Sequence, residues 1–446
     1  MNLAAGDTRA AIDVLRASYG DAFVFGFGAI RFHWLIGAEA NRFVLQERPA
    51  AFRNRAAYRF LEPIGGPTAL IVSDEPEHLR RRRRVQPAFH RQRVDTWTER
   101  AVGAFEAWST TVIGRGSVAL QPALRGVVLD LVIDVLLGPG TRTRHPGLHQ
   151  DLASMMAFAN QPFLAQLFRV PLPGTPWWRF TAARRRVDAV LYAEIARRRA
   201  HGADDDSVVS LLLRSEGEGG VLDDAELRDQ AVSLVSAGFD TTTAALTWCA
   251  WLLCDEALRA RVADDIAGLD PAAAAAHPTI DALWREALRL YPPAPAILRV
   301  TAEDVVWRDV RLPAGALVGL STFHTHRDAA SWREPTTVRL ERWAGDDGPW
   351  SAPRDPFTYL PFGHGARYCI GAGLARTLAG AWLGVMLRKA RWHALDPSDV
   401  TPVGTTLSPP RGLPLRFEPN RGAVVGSAGI GKAGTGEAGT GEAGAG

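Results

Sequence analysis

The stretch Pro361–Gly371, PFGHGARYCIG, restricts this chain more than any other. Gly363, Gly365 and Gly371 stand with Arg367 and Cys369 between a proline and an apolar helical run, Ile370 to Lys389. Glycine serves where the backbone needs a positive φ or must approach another group closely. Cysteine is scarce here: only Cys249, Cys254 and Cys369 occur. Three cysteines cannot build a disulfide framework, which points to a reduced, intracellular protein. Where a helix begins, unpaired backbone N–H groups can point at the Cys369 sulfur and favour a thiolate. A thiolate is a soft ligand for iron and related metals. Two other readings stand beside that one. A free cysteine is commonly a small buried hydrophobe. It can also be a nucleophile with a histidine base, for which His364 is near in sequence although such partners usually come from afar.

With 446 residues, 47% hydrophobic and 22% charged, the chain can hold a large packed core or two to three ordinary domains. A net charge of only +3 argues against a dedicated nucleic-acid binder. The N-terminus, MNLAAGDTRAAIDVL, has charges inside its apolar stretch and reads as neither a signal nor a transit peptide. The longest apolar run, near Ala244 to Cys254, is too short to span a bilayer. The expectation is a soluble cytoplasmic protein without a membrane anchor, taken as a monomer.

Periodicity predicts a mainly α chain with small β-sheets. A hairpin is expected over Ala22–Gly28 and Ile30–Gly37, then helices over Glu77–Phe89, Val94–Val112, Leu120–Leu137 and Thr181–Arg199. Asp223 to Cys254 reads as one long, largely apolar helix. Pro271 to His277 reads as an alanine-rich connector, and Thr279 as the cap of a helix that stops at Tyr291. Short strands are expected within 297–320, with a turn at Leu312–Gly315. From about residue 421 the repeats of AGTGE can form no core, so disorder is expected.

Inside the long helix, Gly238 and three consecutive threonines, Thr241 to Thr243, are poor helix formers. Small residues admit a bound molecule, and a local widening admits water. The plainer reading is threonine hydroxyls bonding back to the helix carbonyls, preferred here for Thr242 and Thr243. The arginine run Arg80–Arg84 turns through about 400° on a helix, so it cannot form one basic stripe, and some members must face inward toward anions.

Phe362 to Gly371 fits every fixed position of F-G-x-G-x-R-x-C-x-G, and the chain thereby resembles the cytochrome P450 family. Other motifs follow in family order: His78, Arg82 and Arg83 with Pro87-Ala88-Phe89; Ala237-Gly238-Phe239-Asp240-Thr241-Thr242; and Glu286-Ala287-Leu288-Arg289 running into Leu290-Tyr291-Pro292-Pro293. The resemblance covers residues 20–418. It implies the family fold in residues 1–420, with haem b between the long central helix and the cysteine loop, and a separate tail over 421–446. It implies that Cys369 is the proximal iron ligand, held in a loop with Phe362, Gly363 and Gly371. His78, Arg82, Arg299 and Arg367 would hold the haem propionates. Ala237 and Gly238 would lie against bound O2, and Asp240 with Thr241 would pass protons. Glu286, Arg289 and Arg342 would pin the loop beneath the haem, while His326-Arg327-Asp328 and Trp332 are structural. The pattern departs at Leu340, where proline is common, at Val338, where phenylalanine is, and at Leu378, commonly acidic.

The activity implied is monooxygenation: one oxygen atom enters a C–H bond and the other leaves as water. Electrons would come from a ferredoxin- or flavodoxin-type partner with its NAD(P)H reductase; outward arginines of the 80–84 run would dock it or simply form a solvated face. Met155, Met156, Phe158, Phe163, Leu167, Phe168, Trp177 and Trp178 would form a lid over a lipophilic substrate of terpenoid, fatty-acid or polyketide kind, or simply pack between helices. The alternatives are a peroxide-driven or oxygen-independent haem-thiolate enzyme and a non-catalytic haem binder.

Overall fold

A computed structural model describes residues 9–27, 30–159, 169–214, 222–345, 352–398, 401–404 and 406–420. Expectations for the tail from 421 and for Phe163, Leu167 and Phe168 lie outside these residues. Eleven helices of seven residues or more are described: α1 (Arg9–Tyr19), α2 (Glu77–Val85), α3 (Arg91–Arg115), α4 (Leu120–Leu137), α5 (Leu148–Ala159), α6 (Pro176–His201), α7 (Val208–Arg214), α8 (Asp224–Leu252), α9 (Glu256–Asp265), α10 (Pro278–Leu290) and α11 (Ala372–Lys389). Ten strands accompany them: β1 (Ala22–Phe27), β2 (Ile30–Leu35), β3 (Phe52–Arg53), β4 (Ser117–Ala119), β5 (Ala296–Thr301), β6 (Val305–Trp307), β7 (Val310–Leu312), β8 (Leu317–Ser321), β9 (Ala390–Ala394) and β10 (Pro414–Pro419).

The architecture is mainly α, as the periodicity predicts. Helix α8 forms because Asp223 caps it, accepting from the Glu226 N–H at 2.7 Å, and Asp224 and Glu226 complement the dipole of the first turn. From Thr242 to Ala250 every residue is buried, so tertiary packing holds the helix where threonine propensity is poor. It packs along α4, while α11 packs along α3 and α5 along α6. One continuous core runs through these helices. Trp248 anchors the C-terminal half of α8: its ring stacks on Tyr291 at 3.9 Å and its Nε1 donates to the Leu407 carbonyl at 2.8 Å.

The hairpin forms as predicted and joins a larger sheet, in the order β1-β2-β8-β5-β3. Strand β8 lies parallel to β2 and antiparallel to β5. Two local expectations fail. Thr279 is not the cap of α10. Pro278 takes the first helical position, so His277 becomes the cap and accepts from the Thr279 N–H at 3.3 Å. The alanine-rich connector is itself a short helix over Pro271–Ala275, because Asp270 accepts from the Ala272 and Ala273 N–H groups at 2.9 Å each. Gly380 and Gly384 on α11 let that short helix come close: a side chain at Gly380 would run into the Ala275 carbonyl.

Candidate active site

The cysteine loop is a folded object. Gly363 and Gly365 adopt φ of +74° and +64°, which explains their glycines. The Cys369 N–H donates to the Phe362 carbonyl at 2.8 Å and the Tyr368 N–H to the Gly365 carbonyl at 3.0 Å, closing the loop ahead of α11. The loop is pinned from outside by His326, whose Nε2 accepts from the Leu360 N–H at 2.8 Å.

Beneath it, Glu286 on α10 gathers a buried charge network. Arg289 donates to both its carboxylate oxygens, at 2.9 and 2.8 Å, and Arg342 adds a contact at 3.3 Å. The Arg339 N–H and Trp343 Nε1 complete it at 2.9 and 3.1 Å. Arg289 also donates to the His326 carbonyl at 3.0 Å and Arg342 to the Glu334 carbonyl at 2.8 Å, so the pair ties α10 to the chain entering the loop. Trp332 lies under both guanidinium groups, at 5.1 and 5.9 Å.

Cys369 is accessible yet set deep in the protein. Burial pushes its thiol up; the Gly371 and Ala372 N–H groups and the Arg82 charge act the other way. The N–H groups act in the direction the sequence anticipates, but burial outweighs them and the thiol is raised overall. Cys249 and Cys254 have thiols pushed up by burial, the latter to about 11, and sit in or against the core.

Of the four expected propionate ligands, Arg82 acts electrostatically on Cys369, and His78, Arg82 and Arg299 each feel the charge of Arg367. Arg299 on β5 is buried, its charge disfavoured chiefly by desolvation, and donates to the Leu298 carbonyl at 2.8 Å. Among the described residues neither Arg299 nor Arg82 pairs with a carboxylate. Burial lowers the Arg82 pKa, and the Cys369 charge opposes that shift. A buried guanidinium and a half-buried one, neither paired with a carboxylate among the described residues, fit a flat dianionic cofactor with a metal for the sulfur. A lone thiol suits a metal held mainly by a macrocycle. His78 and Arg367 differ, being already engaged with Glu75 at 3.0 and 2.7 Å.

The arginine run behaves as its geometry requires. Arg80 and Arg81 both meet Glu226, Arg82 faces Cys369, and Arg84 is buried. Only Arg83 is exposed, so the run forms no broad cationic face.

On α8, Ala237 is exposed and Thr241 half-buried, one turn apart. The Thr241 hydroxyl donates to the Ala237 carbonyl at 2.6 Å, as Thr243 does to Phe239 at 2.9 Å. The helix runs as regular α-helix throughout, without the anticipated widening. At Gly238 an added methyl would meet only Val132, at 3.7 Å, so close packing does not demand that glycine. Asp240 is held by a residue that sequence reasoning missed: Arg125 on α4, at 2.7 Å. Its signal was present, since Arg125 is the only basic residue in α4.

The lid expectation divides. Met155, Met156 and Phe158 are buried, and Phe158, Trp177 and Phe180 pack with ring centroids 4.8–5.4 Å apart, which is ordinary packing between α5 and α6. Trp178 is exposed. No helix among the described residues is long and apolar enough to cross a membrane.

The family model described as Cytochrome P450 matches residues 4–415. Among curated relatives, "Putative cytochrome P450 139" of Mycobacterium tuberculosis is 33% identical over 362 residues, covering 79% of this chain and 83% of the relative. "Putative cytochrome P450 135B1" of the same species is 29% identical over 418 residues, covering 90% and 86%. Among solved structures, retinoic acid-bound cyanobacterial CYP120A1 superposes with a TM-score of 0.81 at 23% identity, over 93% of this chain and 95% of that one. The haem domain of cytochrome P450DA gives 0.77 at 22% identity, over 92% and 93%. With its cysteine loop, buried Glu286 network and helical architecture, the chain belongs to the cytochrome P450 family, the haem-dependent monooxygenases.

Proposed function

We propose that this chain, folded as one haem domain over residues 1–420, oxidises a lipophilic small molecule of terpenoid, fatty-acid or polyketide kind, using electrons from a ferredoxin- or flavodoxin-type partner. The observation that carries the reading is the accessible Cys369 thiol, with the charge of the half-buried Arg82 acting on it, and the buried Arg299 without a carboxylate partner among the described residues. When bound, haem supplies the oxygen chemistry. The chain supplies the rest. Cys369 would hold the iron, and the Gly371 and Ala372 N–H groups would temper its basicity. Phe362, Gly363 and Gly371 shape the loop that presents it. Arg82 and Arg299, with His78 and Arg367, hold the two carboxylates. Ala237 and Gly238, small residues on α8, would leave room for O2. The Asp240 carboxylate and Thr241 hydroxyl pass protons inward once each leaves its present partner.

An apolar substrate is supported by the exposed Trp178 at the start of α6. The retinoic acid carried by the structurally similar CYP120A1 agrees in chemical kind. A separate electron donor is supported by membership of the family, which typically uses redox partners. The 421–446 tail is assigned no part in the chemistry.

The test is reconstitution with a ferredoxin, its reductase and NADPH under isotopically heavy O2, with retinoic acid, a long-chain fatty acid and a monoterpene as probes. One heavy oxygen atom per product molecule is expected. Turnover with peroxide alone, and none with O2 and reductant, would assign peroxygenase chemistry instead.

A further inference from the structure

Glu75 stands just ahead of α2, and its two carboxylate oxygens are divided between two expected haem ligands. Oε1 lies 3.0 Å from His78 Nδ1, and Oε2 lies 2.7 Å from Arg367 Nη2. Arg367 has little else to offer a second carboxylate through its terminal nitrogens, because Nη1 donates to the Ser73 and Leu70 carbonyls at 2.7 and 3.4 Å. His78 is equally committed. Burial first, and the Arg367 charge next, push its pKa down to about 4, so near neutral pH the ring carries one proton. An ionised carboxylate can only accept, so that proton sits on Nδ1 and Nε2 is left with a lone pair. The Nδ1–H of His78 and the terminal nitrogens of Arg367 are thus engaged within the protein, whereas Arg82 and Arg299 have no carboxylate partner among the described residues.

We propose that Glu75 is an internal stand-in for a haem carboxylate: it occupies the Arg367 and His78 donors and yields them when a propionate arrives, so that this corner of the site exchanges one carboxylate for another. The proposal rests on the reading of His78 and Arg367 as propionate ligands. The Glu75 side chain is 41% exposed, so it can turn into water at little cost. Burial alone would raise its pKa, but the Arg367 hydrogen bond and charge lower it, so it remains a competing anion at neutral pH. Because both anions claim the same donors, the corner contributes less to haem retention than two free cationic donors would, and the carboxylate that loses is left as a like charge nearby.

The test is haem transfer from the purified holoenzyme to excess apomyoglobin, for wild type and Glu75→Gln, each loaded with haem or with haem dimethyl ester. Glu75→Gln is expected to release haem about three- to tenfold more slowly, the scale of one partly exposed charge-assisted hydrogen bond. Both proteins are expected to release the ester, which lacks carboxylates, at one rate. Glu75→Ala should match Glu75→Gln, which guards against a folding defect in either variant. Haem release from Glu75→Gln at or above the wild-type rate overturns the proposal and makes Glu75 a scaffold for its neighbours. Equal release of haem and ester by wild type overturns instead the propionate reading on which it stands.

Discussion

Arg125 Nη2 lies 2.7 Å from Asp240 Oδ1, joining α4 to the middle of α8, with the guanidinium 5.0 Å from the Phe239 ring centre. The carboxylate proposed to move protons is thus tied to a cation, while the Thr241 hydroxyl is tied to its own helix. Proton transfer requires both to let go. Asp240→Asn is expected to slow O2-dependent turnover by about 100-fold or more. Arg125→Gln should alter turnover in the wild-type background and add nothing after Asp240→Asn, a double-mutant cycle that reads the pair as one unit. The ion pair is partly exposed, so Arg125→Gln should cost under about 1 kcal/mol of stability. Additive effects on turnover would show the two residues act separately.

Glu286 is fully buried between Arg289 and Arg342. Removing the carboxylate leaves two desolvated cations without their counter-charge. Glu286→Ala is expected to cost about 3–5 kcal/mol, seen as a fall in the urea midpoint or loss of soluble protein. Arg261→Ala breaks an exposed pair with Glu341 and should cost under about 1 kcal/mol. Equal effects would contradict the assignment of the network as the support of the loop.

His326 gives the fold an acid limit. Burial, with Arg327 and Arg289 nearby, pushes its imidazole down to about 3, so it stays neutral and accepts from the Leu360 N–H. In the unfolded chain a histidine titrates near 6.5. Between those values the unfolded state binds a proton that the folded state refuses, so stability falls as pH drops from about 6.5 toward 3. His326 contributes up to about 1.4 kcal/mol per pH unit to that loss. His326→Gln should flatten the stability profile across this window, measured by denaturant unfolding at each pH; an unchanged slope would remove His326 from the account.

Gly380→Ala should destabilise by about 1–3 kcal/mol, because the new methyl meets backbone of the Pro271–Ala275 helix that cannot move away cheaply. Gly103 on α3 is the control, since nothing lies within 4 Å of an added methyl there. Gly103→Ala should stabilise by about 0.4–1 kcal/mol. A Gly380→Ala protein as stable as wild type would mean the two helices are less closely packed than described.

What was legible in the sequence was local or carried by a strict motif. The β1–β2 hairpin and the extent of helix α8 each depend on residues a few positions apart. Misreadings came where a neighbour or a distant partner decides. Pro278 moved the α10 cap to His277, and Asp270 with the α11 glycines made a helix of an apparent connector. The pairs Arg125–Asp240 and Glu75–Arg367 join residues more than a hundred positions apart, a distance no local pattern spans. Glu226 likewise neutralised Arg80 and Arg81 from another helix and left Arg83 as the exposed member of the run.

The account rests on sulfur at position 369 binding iron, and the absorption spectrum of the reduced, CO-bound protein tests this most directly. Wild type should show the strongly red-shifted Soret band of thiolate-ligated haem, and Cys369→Ala should lose it, since Cys249 and Cys254 are engaged in the core. A red-shifted band that survives in Cys369→Ala, or a wild-type protein that never shows one, would contradict the account.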